Sequence, residues 1–303
     1  MHRHRSARLL LRATTVSTLV FALLATGSPA FAATATVGLG TAAPFAVLAG
    51  TPDITNSGPT TITGDIGIHP AAAVTGFPPG TVSGTIHAAD AVASQAKIDL
   101  GLAYDDAAGR PVTSVVAGGT LGGTTLVAGV YNAGGVTLDL TGTLTLDAQN
   151  DPSSVWIFQA TSDLITASAS TVTFINGGSP CNVFWQVATS ATLGTGSTFV
   201  GTILASTSIT IASGVSIAGR ALARTGTVTL IDDSITNATC VTAVATAPPS
   251  AVATARPSVP PTSAIDATAG PASNPGAVLI VVAFLATLVV ITRRLNSRVR
   301  RLR

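Results

Sequence analysis

The sequence contains no glutamate and a single lysine, Lys97. Charged residues are 9% of 303 positions and aromatic residues 4%, too few long polar side chains to solvate a helical bundle. The same low charge, combined with many Val, Ile and Thr residues, argues against a disordered chain. Catalytic signatures are missing as well. No G-x-S-x-G, phosphate-binding loop or dinucleotide fingerprint occurs. After the N-terminal segment only His69 and His87 remain, and neither has Cys or Glu at a metal-ligand spacing. Asp105-Asp106 and Asp232-Asp233 lack the regular oxygen spacing of a calcium loop, and we read them as hydrogen-bonding residues at a helix end and a corner. Asp65 and Asp147 are read as turn residues that satisfy backbone groups. No cofactor, metal, small-molecule substrate or enzymatic activity is expected.

The formal net charge of +2 hides a strong segregation. His2, Arg3, His4, Arg5, Arg8 and Arg12 precede the apolar run Leu19 to Leu24, and Ala30-Phe31-Ala32 offers a cleavage site, so residues 1–32 read as a secretory signal peptide. Residues 276–292 are apolar and are followed by Arg293, Arg294, Arg298, Arg300, Arg301 and Arg303. That order predicts a transmembrane helix with a basic cytoplasmic tail, 293–303. Between Ala33 and Thr246, four bases against twelve aspartates leave −8, which excludes a nucleic-acid partner. Residues 244–275 are Ala, Pro, Ser and Thr, an extended stalk. The expected location is therefore the cell surface, exported and held by the membrane. In that compartment Cys181 and Cys240 are expected to form a disulfide, two buried thiols being the alternative.

What fills residues 33–243 is a recurring block. Val155-Trp156-Ile157-Phe158-Gln159-Ala160 is echoed by Asn182-Val183-Phe184-Trp185-Gln186-Val187, and Thr198-Phe199-Val200-Gly201 by Ser216-Ile217-Ala218-Gly219 eighteen residues later. Short apolar strands with Gly, Ser and Thr corners at a period near twenty residues predict a β-solenoid. Trp156, Phe158, Phe184 and Trp185 are read as core or helix-packing residues. One segment differs. Ala88 to Ala107 is alanine-rich and places Val92, Ala96, Leu100 and Ala103 at helical spacing, and Gly109 and Pro111 follow. It predicts one helix, about 88–107, laid along an apolar wall.

Several stretches together resemble the ice-binding protein family of the β-solenoid type. They are Thr63-Gly64-Asp65-Ile66-Gly67-Ile68-His69-Pro70, Ala73-Val74-Thr75-Gly76-Phe77-Pro78-Pro79-Gly80, Ala103-Tyr104-Asp105-Asp106-Ala107, Gly142-Thr143-Leu144-Thr145-Leu146-Asp147, Cys181 to Val187, and Gly219 to Arg224. The resemblance covers about residues 37–240. It implies an all-β fold with one helix, a right-handed, irregular β-helix of triangular section, and one flat face that adsorbs to ice. The family's face often carries a Thr-(Ala/Gly)-x-(Thr/Asn) repeat. Here Ser168-Ala169-Ser170-Thr171, Thr195-Gly196-Ser197-Thr198 and Ser213-Gly214-Val215-Ser216 correspond to it. Ser168, Thr171, Thr195, Thr198, Ser213 and Ser216 are therefore the expected ice-contact residues, with ice or ordered water as partner. A three-residue gap does not suit a straight strand, so the chain must bend near the Gly or Ala, or one member must lie at the coil edge. A second column, Thr189, Thr192, Thr207, Thr210, Thr225 and Thr229, is read as framework. The competing function is a surface adhesin or structural solenoid without ice activity. A carbohydrate-active β-helix enzyme would need an aspartate cluster in one groove, which is not seen.

Overall fold

The computed structural model describes residues 34–237. The expected signal segment, stalk, membrane segment, basic tail and Cys240 lie outside them. Among the described residues no helix is long and apolar enough to cross a membrane.

Parallel pairing dominates the molecule. Every strand pair is parallel. Short strands of a single coil cannot pair with one another in that sense, so each pairs with its counterpart one coil away. The result is a 15-stranded and a 7-stranded sheet that form three walls. The first wall includes Gly129–Asn132, Trp156–Ala160, Val183–Val187 and Phe45–Ala49. The second is the 7-stranded sheet, from Leu138–Leu140 through Ala191–Leu193 and Ile209–Ile211 to Ala73–Thr75. The third includes Thr143–Asp147, Thr171–Ile175, Ser234–Thr236 and Thr61–Thr63.

Two eight-residue strands, Thr198–Ala205 and Ser216–Ala223, run from the third wall around a corner into the first. They bend at Gly201 and Gly219, which pair with each other. Gly201 has φ +107°, and a Cβ on Gly219 would lie 1.9 Å from the Gly201 carbonyl oxygen, so neither position admits a side chain.

The coils do not stack in chain order. The first ones lie on the last: Val47 pairs with Ala221, Ile54 with Val228 and Ser234 with Thr61. The helix Ala91–Gly109 then returns the chain along the stack, about 28 Å at 1.5 Å per residue, to Ser114–Val115 at the opposite end. It starts later than expected because Ile86–Ala88 is still strand and Asp90 is the N-cap, its Oδ1 accepting from Ala93 N at 2.8 Å. Three of the four expected inward residues, Ala96, Leu100 and Ala103, are buried. Ala93, Ala96, Leu100, Ala103 and Ala107 face inward, and Val92, expected on that face, is 50% exposed. Small inward residues let the helix lie close to Phe45, Leu48, Ile157, Phe184 and Leu222 on the first wall.

Polar side chains from the solenoid meet the helix. Gln159, buried, shares its Nε2 hydrogens among the carbonyls of Ala107 (2.9 Å), Ala108 (3.2 Å) and Arg110 (2.9 Å), which are among the acceptors that a helix C-terminus leaves without partners. Its register neighbour Gln186 donates to the Tyr104 hydroxyl at 2.8 Å. From the helix side, Lys97 Nζ donates to the Ala223 carbonyl. Burial first, and then the neighbouring Arg224, pull Lys97 down to about 7.

Inside the walls like residues stack on like, as the block spacing predicts. Tyr131, Phe158 and Trp185 are register partners, with ring centroids 5.6 Å and 4.1 Å apart, and Phe199 continues the stack at 4.9 Å. Trp156, Phe158 and Trp185 are fully buried in the interior, and Phe184 packs with the helix. Cys181 is disulfide-bonded. The expected partner, Cys240, is the one other cysteine of the chain.

Two outcomes follow from this packing. Gln159→Leu leaves the carbonyls it serves without their donor, so it should lower stability by about 1–3 kcal/mol and depress the thermal midpoint. Because the Lys97 pKa is depressed on folding, the unfolded chain binds the extra proton between pH 7 and about 10.5. Thermal stability should therefore gain a contribution as pH is raised from 7 to 9, and Lys97→Met should remove that rise.

Candidate functional site

The helix covers the first wall, so the solvent-facing arrays are those of the second and third. On the third wall one register column runs Thr143, Thr171, Thr198, Ser216, Ser234, Thr61, Thr81. Seven hydroxyl side chains thus stand side by side on seven neighbouring strands, spaced about 4.8 Å apart. All are exposed except Thr171, which is half-buried. Two positions further along, Thr125, Thr145 and Thr173 form a second rank at one end, and Val200, Ala218, Thr236 and Thr63 continue it at the other. Neither rank contains a charge. The charges lie at the border. Asp147 is tied to Gln149 N and Asn176 Nδ2, both at 2.8 Å, and Asp232 is on a corner.

The floor beneath is even. Ile62, Ile235, Ile217 and Phe199 are register partners and are each no more than 1% exposed, as are the paired Leu144 and Val172. Burying each such side chain contributes roughly 1.5–3 kcal/mol, which holds the strands in plane.

The small-residue motif is resolved by this geometry. Its fourth members, Thr171, Thr198 and Ser216, stack directly in the column. Its first members, Ser168, Thr195 and Ser213, lie at the preceding corner, outside any strand. The corners stack through Ala169 N to Thr195 O at 2.9 Å and Gly196 N to Ser213 O at 3.0 Å. The second members, Ala169, Gly196 and Gly214, have φ of +56°, +67° and +74°, which explains the preference for Ala or Gly there. The third members, Ser170, Ser197 and Val215, are each 1% exposed and point inward. Both ways of accommodating a three-residue gap therefore apply: the chain bends, and one member sits at the edge.

Hydroxyl bonding separates framework from free surface. Ser197 Oγ bonds Gly194 O at 2.6 Å, Thr225 Oγ1 bonds Ser206 O at 2.8 Å, and Thr189 Oγ1 donates to Asp163. None of the seven column residues makes a side-chain hydrogen bond among the described residues. Their hydroxyls are left to whatever lies outside the wall.

A buried carboxyl fixes the corner beside this plane. Asp233 is 4% exposed, accepts from Val215 N at 2.9 Å and Ile231 N at 2.7 Å, and its own N–H donates to Thr60 Oγ1 at 3.0 Å. Burial pushes its pKa up to about 6 against the opposing pull of the two N–H donors. Asp65 and Asp147 serve turns as expected, Asp65 Oδ1 accepting from Thr85 N at 2.8 Å. Asp105 and Asp106 are engaged by Arg224 and Arg110.

The motif identifies the middle of the column but not Thr143, Ser234, Thr61 and Thr81. Its cue for the corner, a left-handed residue shortly before the strand, is present at Gly142, Asp232 and Gly58, yet at Thr143 and Thr61 the spacing differs from the motif's and before Ser234 the left-handed residue is Asp. Thr61 and Thr81 belong to coils that are far away in sequence and stack out of order.

Residues 47–236 match the family described as ice-binding-like. An ice-binding protein of Nostoc sp. (strain HG1) is 43% identical over 201 residues, 66% of this chain and 74% of that protein. The crystal structure of an ice binding protein from an Antarctic biological consortium is 41% identical with a TM-score of 0.66, covering 68% of this chain and 92% of that one. That of an ice-binding protein from the Antarctic ascomycete Antarctomyces psychrotrophicus is 38% identical with a TM-score of 0.64, covering 68% and 100%. The parallel walls, the single α-helix among the described residues and these matches agree: the chain belongs to the ice-binding-like family.

Proposed function

We propose that this protein adsorbs to ice through the third wall and inhibits ice growth or recrystallisation at the cell surface. The observation that carries the reading is the uncharged column Thr143, Thr171, Thr198, Ser216, Ser234, Thr61, Thr81, whose hydroxyls have no partner among the described residues. Each threonine adds a methyl group for apolar contact and a hydroxyl that both donates and accepts, so ordered water can be held at each step. Strand spacing of about 4.8 Å along the column and about 6.6 Å between ranks resembles repeats of the ice lattice. Adsorption needs no turnover and no cofactor. The corner residues Ser168, Thr195 and Ser213 border the plane. The right-handed, triangular coil implied by the resemblance is part of this reading. So is the anchor, which rests on the order of apolar segment and arginines at 276–303.

The full-length protein should shape ice crystals and open a thermal hysteresis gap, and Thr198→Tyr, which raises a ring from the middle of the plane, should reduce the gap several-fold without lowering the thermal midpoint. A wild-type protein that leaves ice unshaped would favour the adhesin reading. The anchor is checked separately: the intact chain should fractionate with membranes, and deletion of 276–303 should release it.

A further inference from the structure

The second wall carries a ladder that the sequence assigns to framework. Register pairs run Asp139, Ile165, Thr192, Thr210, Thr229, Thr55, Thr75. Five consecutive strands therefore each place a threonine at the same position, a row about 19 Å long at 4.8 Å per strand. Ile165, 43% exposed, extends it with methyl groups.

Thr is common in strands for reasons of shape, so its presence alone decides little. Its hydrogen bonding decides more. In the second threonine column of the sequence, Thr189 and Thr225 sit at corners and spend their hydroxyls on Asp163 and on Ser206 O. Those two are framework. Thr192 and Thr210 make no side-chain hydrogen bond among the described residues, and both are exposed. Thr229 and Thr55 meet only at 3.5 Å, and Thr75 reaches Ile54 O at 3.5 Å, the weak limit of such contacts. Residues beside the middle of the ladder are also small, while Ile231 and Phe77 follow Thr229 and Thr75. Ser190, Ser208 and Thr227 precede it, and Gly194 and Ala212 follow it. The nearby acids are engaged at the edge, Asp53 accepting from Thr227 Oγ1 at 2.8 Å and Asp163 from Ser190 N at 3.1 Å and from the Thr189 hydroxyl.

We infer that this ladder is a second ice-adsorbing plane, which meets the third wall along the corner of Ser168, Thr195 and Ser213, so that one molecule engages two differently oriented crystal planes. The inference rests on the ice reading for the third wall. It assigns the same partner because the ladder repeats the same pattern: in-register threonines at strand spacing, with the hydroxyls of Thr192 and Thr210 unbonded among the described residues and those of Thr55, Thr75 and Thr229 engaged only at 3.5 Å. It differs in width. Only one rank of threonines is present and Asp139 closes one end, so it should be the weaker plane.

The test uses fluorescently labelled full-length protein adsorbed to a single-crystal ice hemisphere, with Thr198→Tyr, Thr210→Tyr and the double variant. Both positions are exposed on strands, where tyrosine is well tolerated, and an unchanged thermal midpoint certifies each variant. The wild type should label two sets of planes. Thr198→Tyr should lose one set and keep the other, Thr210→Tyr should do the reverse with a smaller loss of hysteresis, and the double variant should label nothing. Thr210→Tyr with the wild-type pattern and hysteresis would overturn the second plane while leaving the first intact. Complete loss of labelling in Thr198→Tyr alone would do the same. Full labelling in Thr198→Tyr, by contrast, would count against the third wall.

Discussion

Parallel, in-register pairing between coils is the constraint on which everything else in this protein depends. It places a residue of one coil beside its counterpart in the next at a fixed step of about 4.8 Å. One threonine per coil then becomes a row, and one aromatic per coil becomes the stack Tyr131, Phe158, Trp185. The same step that fills the interior also rules the surface, so the interior's regularity is the source of the exterior's flatness. A register slip would break both at once, since it would turn inward residues outward.

Charge is distributed to leave that surface alone. Among the described residues the ion pairs Arg110–Asp106 and Arg224–Asp105 and the hydrogen-bonded pair His87–Asp90 all involve the helix or the residues beside it. Pairs of this exposed kind contribute little stability. Their placement gathers solvated groups on the covered wall. The hydroxyl rows of the two open walls keep short side chains, in line with the absence of Glu and scarcity of Lys in the chain. A long charged side chain on an open wall would stand above the threonine row and hold its own hydration shell. Stability is carried instead by interior burial, by the helix that seals the first wall, and by side chains such as Gln159 that satisfy its last carbonyls.

Much of this was legible from residue order. The blocks around Trp156, Trp185 and Gly219 showed stacked coils because their apolar residues recur beside a shared Gln or Gly. Thr171, Thr198 and Ser216 could be aligned because their corners share a left-handed Ala or Gly. The helix and most of its inward face, Ala96, Leu100 and Ala103, were visible from the spacing, but its start was not: with Asp90 as N-cap, Ala93 is the first buried residue and Val92 stays outside. Ser234, Thr61 and Thr81 escaped because register partners are set by space. Thr61 stacks on Ser234 across nearly the whole domain, and no linear repeat connects them. The distinction between Thr189 and Thr192 escaped for another reason. Both are threonines at solenoid spacing, and only a neighbouring carboxylate, Asp163, shows that one hydroxyl is occupied.

The out-of-order stacking has a consequence for the length of both planes. Were the coils to follow chain order, the rows would end at the last coil, with Ser234 on one wall and Thr229 on the other. Placing the first coils there adds Thr61 and Thr81 to one row and Thr55 and Thr75 to the other. Neither addition is possible without the helix, because the chain must then travel back along the stack to begin the remaining coils. The helix thus has two linked tasks. It seals the first wall, and it is the return path that lets segments distant in sequence lengthen the two walls that stay open. Under the proposed function, adsorption by many weak contacts gains with each added step, so a connection that extends both rows at once would link topology to function.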